Sequence, residues 1–344
     1  MNFSVQFKVR GDDFGGHFIN GISMADSESF WKCKLVSADD EKNVYESSDG
    51  YKITAYHIKK GDVFECYTVF ENNTDSVVTL DMISSFAITD LDFDTLHRAT
   101  SFWSAEGKML SQKLTDLNME RSWSGHGIRI EKFGQVGSMP VRKWFPFVAI
   151  ENSEKNEFIG VQLYIPSSWQ IELFRHKEPL TLLGGLADFD YGHWCKEIKP
   201  NESFTTPKAV VAVGDSLLKV CDMLVKAQSP DISPVDEDLP VIFNEYCTSW
   251  GNPTIENLEK TAKKLQGSGV KYLVMDSGWY KEDGKEWWDT IGDWNVNKSQ
   301  FPDGLKPVCD MIKSYGLIPG IWFEMENVAP LSQIYNETDH LLSR

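Results

Sequence analysis

Hydrophobic positions recur with two different periods along the chain. Up to about Val213 the apolar residues alternate with polar ones. Val78, Leu80 and Met82 alternate with Thr79 and Asp81. Ile159, Val161 and Leu163 alternate around Gly160 and Gln162, and Trp169, Ile171 and Leu173 with Gln170 and Glu172. A period of two puts one face of a strand in a core and the other in water, which predicts an antiparallel β-sandwich. Asn72-Asn73-Thr74-Asp75, between Val69-Phe70 and Val77-Val78, reads as a turn. The first helix expected in this half opens on Ser216 as its cap and aligns Leu217, Val220, Cys221 and Leu224.

The segment from Gln228 to Pro240 holds three prolines and four acids, and it can neither continue a helix nor sit inside a sheet. The expected organisation is a sandwich domain over 1–228, a linker over 229–240 and an α/β domain over 241–344. Beyond Pro240 the period becomes helical. Val241-Ile242-Phe243 reads as a strand, and Asn252-Pro253-Thr254 opens a helix carrying Ile255, Leu258, Ala262 and Leu265. Gly267-Ser268-Gly269 stops it before the strand Tyr272-Leu273-Val274-Met275. A helix with Leu305, Val308, Ile312 and Tyr315, with Pro307 in its first turn and Gly316 as its stop, then leads to a third strand ending at Phe323-Glu324. Strand, helix, strand, helix, strand predicts a parallel sheet with right-handed crossovers. This is the opening of a truncated (β/α)8 TIM barrel, with Asn336 to Arg344 beginning another helix. A three-stranded parallel sheet leaves apolar edges and faces to be covered. The chain is therefore expected to be a fragment whose covering surface is missing or comes from another chain, which leaves room for a homo-oligomer.

The formal charge of −17 and a pI near 4.9 exclude a nucleic-acid or anionic-membrane partner from the expectation, because such surfaces select clustered Lys and Arg. The N-terminus lacks a basic stretch followed by an apolar core, and no apolar run approaches the roughly 18 residues of a membrane span. A cytoplasmic protein is expected. The six cysteines, Cys33, Cys66, Cys195, Cys221, Cys247 and Cys309, show no metal-ligand spacing and are expected to be reduced and mostly buried. The seven histidines, His17, His57, His97, His126, His176, His193 and His340, suggest no metal and are expected to make ordinary hydrogen bonds. No cofactor is expected.

Candidate chemistry lies at the strand ends. Asp276, Ser277, Trp279, Trp322, Glu324 and Glu326 fall at or just beyond the C-terminal tips of parallel strands, where barrels keep their sites. Carboxylates there can accept paired hydrogen bonds from sugar hydroxyls, and an indole offers an apolar face to a pyranose. A sugar site is the direct inference, with a cap on the following loop as the alternative role for Asp276. Glu324 and Glu326 are two residues apart and point oppositely if extended, so a hydrogen bond to backbone is the expected fate of at least one. Trp287-Trp288 is read as a plug for the long loop rather than a stacking platform. Cys247, after the first strand, is read as an inert thiol.

Five motifs in order carry a resemblance. Asn244-Glu245-Tyr246, Met275-Asp276-Ser277-Gly278-Trp279-Tyr280, Gly292-Asp293-Trp294, Phe301-Pro302-Asp303-Gly304-Leu305-Lys306-Pro307 and Gly320-Ile321-Trp322-Phe323-Glu324 together resemble glycoside hydrolase family 36, the α-galactosidase-like family. Pro200 to Pro207 looks like that family's sandwich segment as well. The resemblance implies a large β-sandwich before a (β/α)8 barrel, and an oligosaccharide or glycoside as the substrate. It implies that Asp276 grips hydroxyls of a galactose-like unit and that Trp322 walls the pocket. Tyr246 stands where the family usually has a tryptophan. Ser277 replaces the second of two adjacent aspartates and leaves α-glucoside or α-N-acetylgalactosaminide preference open. The family's nucleophile and acid/base aspartates, which act by retaining double displacement from about 5–5.5 Å apart, would both lie past Arg344. On this reading the chain by itself supplies substrate contacts without turnover. The rival reading is a non-catalytic sugar-binding module.

Overall fold

The computed structural model describes residues 1–13, 19–121, 127–176, 179–228 and 232–341. The chain divides into two compact units, Met1–Ser229 and Pro230–Arg344.

The first unit is built from antiparallel β-structure. Among the described residues, one sheet of seven strands runs in the order Asn2–Ser4, Val78–Leu91, Leu180–Leu186, Trp169–His176, Ile128–Gln135. Phe7–Val9 and Lys196–Ile198 also pair with its long Val78–Leu91 strand. A second sheet of ten strands includes Val63–Asn72, Ala209–Gly214, Glu157–Leu163, Phe147–Asn152, Thr95–Thr100 and Lys108–Lys113 in that order. The main core draws Ile88, Trp169, Leu173 and Leu182 from the first sheet and Leu96, Ile150 and Val161 from the second. These are inward residues of alternating strands.

The outward residues depart from the expected water-facing role. Asp81, Gln170 and Glu172 are all buried, and Gly160 is covered by a helix. That helix, Leu217–Gln228, starts where Ser216 Oγ accepts the Lys219 N–H at 3.3 Å. A Cβ on Gly160 would stand 3.0 Å from Val220 Cβ, so the missing side chain is what lets the helix settle. Glu172 is tolerated inside because Lys132 Nζ lies 3.3 Å away and Ser23 Oγ donates to it. Lys132 also pairs with buried Asp188 at 2.7 Å. Alternation in the sequence recorded which side chains are polar, and the ionic cluster explains why those polar side chains are nonetheless dry.

The second unit is a three-stranded parallel sheet in the order Val241–Asn244, Val270–Met275, Ile318–Ile321, joined by the helices Ile255–Leu265 and Lys306–Ser314. Thr254 caps the first helix by accepting the Asn257 N–H. Leu258 and Ala262, then Val308 and Ile312, pack on Leu273 and Met275. The third strand closes at Ile321 instead of Glu324, although Trp322 N–H still reaches Met275 O at 3.0 Å. The helix expected from Asn336 is replaced, up to residue 341, by two single 3₁₀ turns, Ile334–Asn336 and Thr338–His340. The segment is tied down at its start, where the Gln333 and Ile334 N–H groups both donate to the Asp293 carboxylate.

All six cysteines are free, but only Cys66 is buried; Cys195 and Cys247 are exposed, correcting the expectation of mostly buried thiols. His17 and His126 lie outside the described residues. No described helix is long and apolar enough to cross a membrane.

Candidate functional site at the strand tips

Parallel pairing sets the three strand ends of the second unit side by side. Asn244, Val274 and Gly320 form one rung. Two residues on come Tyr246, which opens a single-turn helix, and Asp276 and Trp322, each just past its strand. Glu245 N–H donates to Val274 O, and Trp322 N–H to Met275 O, so the ladder holds up to the positions where the polar side chains begin.

Asp276 is the centre of this rim and is only 8% exposed. Its Oδ2 accepts from Asn244 Nδ2 at 2.6 Å, and its Oδ1 accepts the Ser277 N–H at 2.7 Å. Its own N–H donates to Glu245 Oε1 at 3.3 Å. The carboxylate thus has a fixed direction, and each oxygen keeps a lone pair for a further donor. The capping role considered for Asp276 is present in the bond to Ser277 N–H, alongside the side-chain contact to Asn244.

Two hydroxyls beside it lack partners. Ser277 Oγ and Tyr280 Oη are both buried without a hydrogen bond. Burial, with the nearby Asp276 and Glu324 charges, pushes the Tyr280 phenol up, so it stays a neutral donor at physiological pH. Burial also pushes the Glu245 carboxyl up, although it accepts from Asp276 N–H and Thr248 Oγ1. Glu245 is fully inaccessible and acts on the rim through the Asp276 backbone.

The aromatic residues form a continuous wall. Trp287 meets Tyr246 edge-on at 6.0 Å and Trp322 at 6.1 Å, and Trp322 meets Trp294 at 6.2 Å. Trp294 in turn stacks on Trp279 at 6.0 Å. Tyr246 and Trp322 are half-buried and keep accessible surface. Trp279 is 3% exposed, and its indole N–H donates to Trp322 O at 3.0 Å. Its place is therefore behind the wall, fixing Trp322. Trp287 is the hub of the loop, as a plug should be, while Trp288 projects outward. Glu324 turns onto its own loop by accepting the Glu326 N–H at 2.8 Å, and Glu326 is exposed.

Two residues of this rim escaped the sequence reading. Glu245 had a signal, an acid directly after an apolar strand, but its burial depends on the crossover that follows. Tyr280 stands in the Met275–Tyr280 motif with nothing in the sequence to mark its hydroxyl as buried. Among the described residues, no three His, Cys, Asp or Glu side chains gather closely enough to hold a metal ion.

A fixed carboxylate, uncharged hydroxyls and an indole wall suit a polyhydroxylated ring better than an anion. The Melibiase family model matches residues 203–343 of this chain. Alpha-galactosidase Mel36A of Lactobacillus acidophilus is 26% identical over 239 residues, which is 66% of this chain and 32% of the relative. In structure, the chain is similar to the GH36 alpha-galactosidase AgaB of Geobacillus stearothermophilus, with a TM-score of 0.72 and 19% identity, over 98% of this chain and 46% of that one. The same coverage, TM-score and identity hold for a variant of alpha-galactosidase AgaA from that organism in complex with raffinose. The chain thus spans about a third of the length of that curated relative and just under half of those solved chains.

Proposed function

The chain belongs to the α-galactosidase-like glycoside hydrolase family 36, and from that premise we propose that it is the N-terminal portion of a retaining glycosidase acting on terminal α-linked galactose. The parallel sheet would be the first three βα units of a (β/α)8 barrel, following a sandwich domain and a 229–240 linker. Exposed Val241 and Ile242 on one edge strand, and Ile318 and Ile321 on the other, support a sheet that continues into further elements. The reacting carboxylates would come from beyond Arg344, so this chain contributes binding and orientation.

One observation carries the reading: the Asp276 carboxylate, held by Asn244, stands on the C-terminal rim of a parallel sheet beside Trp322. There Asp276 would accept from two sugar hydroxyls, Ser277 and Tyr280 would complete the hydrogen bonding, and Trp322 and Tyr246 would cover the apolar face of the ring. Raffinose, the ligand of the AgaA variant, exemplifies the substrate class. The free cysteines support a cytoplasmic setting, and the exposed sheet edges a homo-oligomer if further chain does not cover them. The uncharged Ser277 favours a second reading, in which the preferred sugar is an α-glucoside or α-N-acetylgalactosaminide.

The test compares hydrolysis of chromogenic α-galactoside and α-glucoside by the full-length protein and its Asp276→Ala variant. The proposal expects α-galactoside turnover, lowered at least tenfold in kcat/KM by Asp276→Ala. Faster α-glucoside turnover would establish the second reading. Sugar binding without turnover of either substrate would make the protein a binding module.

A further inference from the structure

A different set of reactive side chains lies in the first unit, on the outer face of the ten-stranded sheet. Ser111, His97 and Glu151 belong to three adjacent strands, Lys108–Lys113, Thr95–Thr100 and Phe147–Asn152. His97 is directly opposite Ser111 on one side and Ala149 on the other. Ser111 Oγ is 2.8 Å from His97 Nδ1, and His97 Nε2 is 3.0 Å from Glu151 Oε2. His97 is buried while Ser111 is exposed.

The partners settle the proton positions. An ionised carboxylate only accepts, so Nε2 carries the hydrogen that points at Glu151. In the neutral ring Nδ1 is then the acceptor, and the Ser111 O–H must donate to it. An exposed hydroxyl thus donates to a buried base whose far nitrogen is oriented by a carboxylate, the arrangement that activates a serine nucleophile.

A binding surface adjoins it. Two residues along the same strands, and so on the same face, stand Ala99 and Met109. With Phe147, Leu224 and Val225 they line an apolar cavity of about 400 Å³ between sheet and helix. Lys113, the next residue on that face beyond Ser111, has its ammonium held by Asp94 at 2.6 Å.

We propose that Ser111, His97 and Glu151 form a second nucleophilic site, one that cleaves carboxylic esters whose short apolar acyl chain lies in the adjoining cavity. Ser111 Oγ attacks the carbonyl carbon as its proton passes to His97 Nδ1. The ester C–O bond breaks, and His97 returns the proton to the departing alcohol oxygen. Water then attacks the acyl-serine, giving its proton to His97. Ser111 leaves and is reprotonated, so one ester and one water become one acid and one alcohol. The site is independent of the sugar rim.

The test treats the protein with a fluorophosphonate probe and, separately, with p-nitrophenyl butyrate. The expected result is a phosphonylated Ser111 peptide in the digest, and butyrate hydrolysis that falls at least tenfold in Ser111→Ala and by roughly 10²-fold in His97→Gln. Ser111 is exposed, so its alanine variant folds. Circular dichroism confirms the same for His97→Gln, and Glu151→Gln, with a reduced rate, replaces it if the imidazole is needed for folding. An unlabelled Ser111 in folded protein, or butyrate hydrolysis unchanged in Ser111→Ala, overturns the proposal.

Discussion

Glu245 and Lys132 show the same constraint from opposite sides. Among the described residues no cation pairs with Glu245, and burial raises its pKa above the usual 4.5. A folded-state pKa above the unfolded one contributes stability that is complete below about 4.5 and is lost as pH rises through the raised value. Glu245→Gln removes the titration while keeping an acceptor for Asp276 N–H. Its thermal midpoint should exceed that of the parent at pH 8, and the difference should close as pH falls to 4.5; a gap constant with pH would contradict this. Lys132, by contrast, is the cation that Glu172 and Asp188 share in a buried site. Lys132→Met should cost about 3–5 kcal/mol in urea unfolding at pH 7, because removing one partner leaves buried charge uncompensated. The deficit should shrink as pH falls, because burial already favours the protonated form of Glu172.

At the scale of elements, the rim depends on two loops that nearly touch. Gly278, just after the second parallel strand, has φ +95°, and a Cβ there would lie 2.0 Å from Gly251 O. Gly278→Ala should therefore cost more than the roughly 1–3 kcal/mol of left-handed strain alone. Urea unfolding checks it, and a loss below 1 kcal/mol would mean that the loops are free to separate. The parallel strands and their helices were legible because caps, glycine stops and apolar spacing all pointed the same way: Thr254 caps, Gly267, Gly269 and Gly316 stop, and Leu258 and Ala262 face inward. The outward faces of the sandwich were not legible. Burial of Glu172 depends on Lys132 from another strand and Ser23 from a loop, contacts far apart in sequence. The rim was legible in part. Asp276, Tyr246 and Trp322 announce themselves as polar or aromatic ends of apolar runs, whereas the seclusion of Trp279 behind Trp322 comes from packing of a long loop.

For the whole molecule, the division at Ser229 and Pro230 has an observable consequence. Ile232, Val235 and Leu239 are exposed in the segment that leads to Pro240. Limited proteolysis should cut first between residues 232 and 240, giving two fragments that resist further digestion. Early cuts before residue 229 or beyond residue 240 would count against two separately compact bodies. The central claim concerns what the second body holds: a pyranose gripped by one fixed carboxylate and covered by an aromatic wall. A charge-assisted hydrogen bond contributes roughly 1.5–3 kcal/mol, or about 10- to 150-fold in affinity. Calorimetric titration of the full-length protein with free galactose, which offers no glycosidic bond to cleave, tests the claim most directly. Saturable binding that weakens at least tenfold in Asp276→Ala is the predicted result, and equal affinity in the two proteins would contradict it.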